Sequence, residues 1–148
     1  MYTAFLHTHS TLAYVVFAML IITIIRWITK TANNASFTDT DRKWVKFTVL
    51  AVHVQFLVGL ILYIFLSPIT QEAFADVGEA MRNSKLRFML VEHASTNILA
   101  VVAITIASAR SKRLPTDKLK FKNLALLFSI GLVLLLSRVP WVNWLNLG

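Results

Sequence analysis

Four apolar blocks, roughly residues 2 to 28, 47 to 69, 88 to 109 and 124 to 141, constrain this chain more than any other feature. An α-helix rises about 1.5 Å per residue and the bilayer hydrocarbon is about 30 Å thick, so about 20 residues cross it. Three blocks reach that length comfortably, and the fourth does so when it extends to Trp141. Membrane strands would instead alternate in polarity over about 10 residues. Neither LAYVVFAMLIITII nor LALLFSIGLVLLL alternates. A helix satisfies its own backbone polar groups, which lipid cannot do. The sequence therefore predicts an all-α membrane protein, a single domain over 1–148 built as a four-helix transmembrane bundle in a lipid bilayer.

Composition agrees, since 57% hydrophobic residues exceed what a water-facing surface accommodates. The net charge of +8 is explained by topology rather than by nucleic acid. Arg26, Lys30, Arg42, Lys43 and Lys46 fall around the first connection, and Arg110, Lys112, Arg113, Lys118, Lys120 and Lys122 around the third. The opposite side holds Arg82, Lys85, Arg87 and Arg138 beside Glu72, Asp76 and Glu79. The positive-inside rule puts the basic loops in the cytoplasm and both termini on the outer side. No aromatic residues interleave the basic ones as a base-stacking surface needs, so no nucleic-acid partner is expected. No Lys or Arg precedes the first block and no small-residue cleavage site follows it, which predicts a retained helix rather than a signal peptide. Cysteine is absent, which excludes disulfides, thiolate ligands and iron–sulfur clusters.

The connection TKTANNASFTDTDRK reads as a solvated linker in which Thr38 or Asp39 caps the second helix. RSKRLPTDKLKFKN, broken by Pro115, reads as a basic connector facing anionic lipid. The outer connection SPITQEAFADVGEAMRNSKLR has room for a short amphipathic helix across the bundle mouth, with Ile69, Phe74, Val77 and Met81 as its packing positions. Trp27, Trp44, Trp141 and Trp144 lie near span boundaries and read as headgroup belts.

Ionisable residues inside membrane helices are functional candidates because each is costly to insert. Here they are His7, His9, His53, Arg87, Glu92, His93 and Arg138. In the third span, Glu92, His93, Thr96 and Asn97 form one stripe at helical spacing, expected to face the interior. In the second, His53 points away from a face that repeats every four residues as Gln55, Gly59 and Tyr63, and is expected to be a hydrogen-bonded interior histidine. In the first, His7 shares a face with Thr11 and Tyr14, whereas His9 shares one with Leu12, Ala13, Val16 and Leu20. The more polar face predicts His7 inward and His9 near the headgroups. His7 and His93 then lie at similar depth, roughly 7 and 9 Å inside the outer boundary, while His53 is about 20 Å from it.

With LHTHS opening the first span, AVHVQFLVGLILYIFLSP in the second, AMRNSKLRFMLVEH entering the third and a closing VPW, the chain resembles a family of small four-span bacterial membrane proteins labelled cytochrome b. It is distantly similar to larger four-helix b-type cytochromes that exchange electrons with quinones, although its histidine spacing departs from theirs. The resemblance implies the bacterial inner membrane, haem b, and a quinone or redox-protein partner. Bis-histidine ligation needs two imidazoles at similar depth on different helices, which His7 and His93 meet, with His53 and His9 in reserve. Glu92, Asn97 or a backbone carbonyl would accept the second ring N–H of a ligand. Arg87 or Arg138 would pair with haem propionates, and a gap beside Tyr63, Arg87 and Trp141 would receive a quinone head.

Three functional classes follow: an electron-relaying b-type cytochrome, a non-redox small subunit or assembly factor of a membrane complex, and an outer copper or zinc port using His7 and His9. Oligomeric state is left open. The sequence holds no Ser/His/Asp set, phosphate-binding Gly loop or H-E-x-x-H motif, and no broken-helix signature of a carrier.

Overall fold

A computed structural model describes residues 1–141. It is helical, with no strand among the described residues. The elements are α1 (Tyr2–Ala32), α2 (Asp39–Ile61), a wide π-helical turn (Leu62–Leu66), α3 (Pro68–Ala75), α4 (Val77–Arg82), α5 (Ser84–Arg87), a second π-helical turn (Phe88–His93), α6 (Ala94–Ser111) and α7 (Asp117–Ser137). Counting the π turns with their neighbours, four helices are long and apolar enough to cross a membrane: Tyr2–Ala32, Asp39–Leu66, Ser84–Ser111 and Asp117–Ser137. They extend beyond the apolar blocks at the basic end, where solvated charged turns continue the helices. The fourth helix stops at Ser137, short of Trp141, because Arg138 leaves helical geometry two residues before Pro140.

Side chains set the starts. Thr38 and Asp41 form a capping box on α2, and Thr116 caps α7. Ser67, with Pro68 behind it, starts α3, while Asp76 and Asn83 start α4 and α5. The outer connection is thus three short capped helices, not one. Its packing residues are Ala73, Ala80 and Leu86 with Ile69, against Leu90 and Tyr63. Phe74, Val77 and Met81, expected to pack, are exposed. Each cap restarts the helix at a new rotation, so the periodicity of the segment does not run through it.

The long helices form a ring in which α1 meets α2 and α7, and α6 meets α2 and α7. The main core fills the half nearer the basic connections. It contains Val16, Leu20, Ile24 and Trp27 of α1, Val45 and Val52 of α2, Ile104 and Ala107 of α6, and Phe121, Leu124 and Phe128 of α7. Thr23 and Thr48 hydrogen-bond across α1 and α2 at 3.2 Å within it. Gly131 lets α7 press on α6: a Cβ there would lie 2.6 Å from Ile104 Cγ1. Trp27 is not a headgroup belt. It is fully buried and stacks on Phe121 at 5.7 Å, because α1 continues past it for another turn. Trp144 lies outside the described residues.

At the basic end Asp41 is fully buried and accepts from Arg26 (2.9 Å), Lys30 (2.6 Å) and the Thr38 N–H and hydroxyl (2.9 and 2.8 Å). Asp117 accepts from the Phe37 N–H at 3.0 Å. These contacts tie the first connection to α1, α2 and α7, so the linker is anchored rather than loose.

Candidate functional site

A cavity of about 620 Å³ occupies the other half of the bundle, at the end carrying the N-terminus. Its wall is mostly apolar and aromatic, including Phe17, Phe56, Met89, Ile98 and Leu135. Its polar groups include the His7, His9 and His93 imidazoles, the Gln55 and Asn97 amides and the hydroxyls of Ser10, Thr11, Tyr14, Tyr63 and Thr70. That size and character suit a cofactor or apolar small molecule, whose sites typically measure about 300–1,000 Å³.

His9 is the more buried of the two α1 histidines, where His7 was expected to be, although both line the cavity. Its imidazole lies against Gly59 of α2 so closely that a Cβ on Gly59 would be 2.8 Å from Cε1 and 3.3 Å from Nδ1. His9 is mostly buried, whereas His7 is exposed at the cavity rim. The reason is the face that continues from His9 through Val16, Leu20, Thr23 and Trp27, all four of them buried. This aliphatic face packs against α2 and α7, while Thr11 and Tyr14 of the more polar face reach the cavity at its exposed rim. The two rings of HTH therefore diverge and do not form a two-tooth chelate. Among the described residues no group of three or more His, Asp and Glu side chains gathers around a metal position.

His93 enters from the start of the third span. Its Nδ1 lies 2.7 Å from the Arg138 carbonyl oxygen. A carbonyl only accepts, so Nδ1 carries the proton and Nε2 keeps its lone pair. Arg138 is the residue at which α7 ends, and its carbonyl is one that the helix itself leaves unbonded. Asn97 does not accept from His93; its Nδ2 donates to the His93 carbonyl at 2.6 Å. His9 and His93, from the first and third spans, both line the cavity.

The stripe expected on the third span divides. His93 and Asn97 line the cavity, but Glu92 and Thr96 do not. Glu92 lies between two guanidinium groups, with Arg87 Nε at 3.3 Å and Arg138 Nε at 3.4 Å. Arg87 also donates to the Met81 carbonyl, and Arg138 to the Ser137 carbonyl. Two cations on one carboxylate leave one excess positive charge, half-exposed, beside the cavity. Residues 92 and 93 straddle the edge of the inward face, His93 lining the cavity and Glu92 lying outside it.

Both π turns border this half. Each turn leaves carbonyls out of regular helix pairing, and side chains take them up. Tyr63 donates to the Leu90 carbonyl at 2.7 Å, joining the first π turn to the second. Thr70 donates to the Tyr63 carbonyl and Gln71 to the Ile64 carbonyl, each at 2.7 Å. Tyr63 is thus committed to the fold, and neither Arg87 nor Trp141 lines the cavity, so the expected quinone gap beside these three residues is not formed as one pocket.

His53 is away from the cavity. Its Nε2 lies 3.0 Å from Thr105 Oγ1, whose own proton goes to the Val101 carbonyl. Nε2 is therefore the donor, and His53 acts as an interhelical tie between α2 and α6. Gly59 and Gln55 are site residues that sequence reasoning placed on one face without assigning to the site; the four-residue spacing of Gln55, Gly59 and Tyr63 was the signal. Gln55 donates through Nε2 to the His9 carbonyl at 2.9 Å.

Comparisons with protein-family models, with curated proteins and with solved structures find no match to this chain.

Proposed function

We propose that this chain is a multi-pass b-type cytochrome of the bacterial inner membrane, with both termini on the outer side, relaying electrons between a quinol and a redox partner. The observation that carries the reading is a pair of imidazoles, His9 and His93, from different helices on the wall of one apolar cavity, one of them already fixed with Nε2 free. The donor set fits haem b: two neutral imidazoles, a largely apolar wall and no thiolate. Haem b, when bound, supplies a one-electron couple. The Arg138 carbonyl holds the His93 tautomer and ring orientation, the usual role of an acceptor behind a ligating histidine. Gly59 gives His9 room to lie flush with α2. Arg87 and Arg138, with their excess positive charge beside the cavity, suit the propionates.

Purification with ample haem supply should give a Soret band that shifts on dithionite reduction. His9→Ala and His93→Ala should each abolish or alter the band, and His7→Ala and His53→Ala should leave it. A colourless preparation, or loss of the band in His7→Ala but not in His9→Ala, would overturn the assignment.

A second reading has its own observation. The His93 contact also caps the C-terminal end of α7, which a non-redox small subunit would use for packing alone. That reading expects His93→Ala to lower stability in a stable, colourless protein that co-purifies with a larger complex.

A further inference from the structure

Among the described residues, three buried side-chain polar atoms have no hydrogen-bond partner: His9 Nδ1, Gln55 Oε1 and Trp27 Nε1. Trp27 lies at the far end of α1, but the other two belong to residues that already touch, since Gln55 Nε2 donates to the His9 carbonyl at 2.9 Å. They are also chemically complementary. An amide oxygen accepts only, and an imidazole Nδ1 donates when it carries the proton. Gly59, one helical turn beyond Gln55 on the same face, bears the His9 ring at Cε1, with Nδ1 the nearer of the two nitrogens: a Cβ there would lie 3.3 Å from Nδ1 and 3.7 Å from Nε2. Unpaired buried groups of this kind are rare in native proteins, and two that match at one contact point to one bond.

We infer that Gln55 Oε1 is the acceptor for the His9 Nδ1 proton, directly or across one bridging water, and that Gln55 is the positioning residue that turns the Nε2 lone pair of His9 toward the cavity. Gln55 then does for His9 what the Arg138 carbonyl does for His93, and the two imidazoles face the cavity in the same tautomer. The inference rests on the haem reading for its use, while the hydrogen bond itself exists in the haem-free protein.

The test is histidine-selective ¹⁵N NMR of the full chain in detergent micelles without haem, with His9 assigned by loss of its signals in His9→Gln. Long-range ¹H–¹⁵N correlations distinguish the Nδ1–H from the Nε2–H tautomer. Wild-type His9 should be Nδ1–H, Gln55→Met should shift it to Nε2–H, and Gln55→Glu, which keeps an acceptor, should restore Nδ1–H. His93 should remain Nδ1–H throughout, reporting that the variants are folded. An Nε2–H tautomer at wild-type His9, or an unchanged His9 signal in Gln55→Met, would overturn the inference. Haem titration of the same samples separates the two proposals: no haem uptake combined with the predicted tautomer change sinks the cytochrome reading and leaves this one standing.

Discussion

Gly59→Ala is the sharpest perturbation of the site, because the structure gives the clash directly. A Cβ at this position would lie 2.8 Å from His9 Cε1, whereas ordinary contact begins at 3.4 Å. The ring must retreat by about 0.6 Å or α1 must separate from α2, and overpacking of this kind typically costs about 1–3 kcal/mol. Elsewhere in a helix the same exchange removes a flexible residue and gains about 1 kcal/mol. Gly78 supplies the control, since its Cβ would meet only the Asp76 carboxylate at 3.3 Å, on an exposed part of α4. Unfolding in mixed micelles should place Gly59→Ala about 0–2 kcal/mol below wild type, the clash less the helix gain, and Gly78→Ala at or above wild type. The His9 side-chain resonances should move in the first and not in the second. A Gly59→Ala protein as stable as wild type with unchanged His9 signals would refute the inward placement of His9, and with it the choice of His9 over His7.

Asp41→Ala should lower stability by about 2–4 kcal/mol in the same unfolding assay, because it leaves Arg26 and Lys30 partly buried without their carboxylate and removes the Asp41 half of the α2 capping box. Thr23→Val should cost about 1 kcal/mol, the usual size of an interhelical hydrogen bond in a membrane bundle, and Thr48→Val should add little to it in a double-mutant cycle. Glu92→Gln should change stability by less than about 1 kcal/mol, since the ion pairs are half-exposed, but should perturb the His93 resonances through the freed Arg138. His53→Ala should cost about 1 kcal/mol through the lost Thr105 contact and leave any haem spectrum unchanged; a lost spectrum would place the cofactor elsewhere.

How much was legible differs between spans and rotations. The first and fourth spans were legible as apolar runs at about 2–28 and 124–141, and the helices run Tyr2–Ala32 and Asp117–Ser137. Of the two cap candidates for α2, Thr38 and Asp39, Thr38 is the cap, and His53 is hydrogen-bonded as expected, at a half-buried position. His93 and Asn97 were placed inward, where they are. His7 was expected to be the more buried of the α1 pair although His9 is, Glu92 was placed inward although it faces two arginines, and Trp27 was placed at the headgroups although it is in the core. The two π turns went unseen, since a regular 100° step was applied to residues 62–66 and 88–93, where each turn inserts about one residue.

The sequence by itself determined how many helices could cross a bilayer and roughly where each begins and ends, because hydrophobic length is a property of a segment alone and needs no neighbour to define it. Only the tertiary structure decided which way each helix turns. In a soluble helix the polar face marks solvent, but in a membrane helix the lipid face and the packed face are both apolar, so polarity no longer encodes rotation. On α1 the decision came from steric fit, with Val16, Leu20, Thr23 and Trp27 packing into the core and Gly59 of α2 opening the space that His9 occupies.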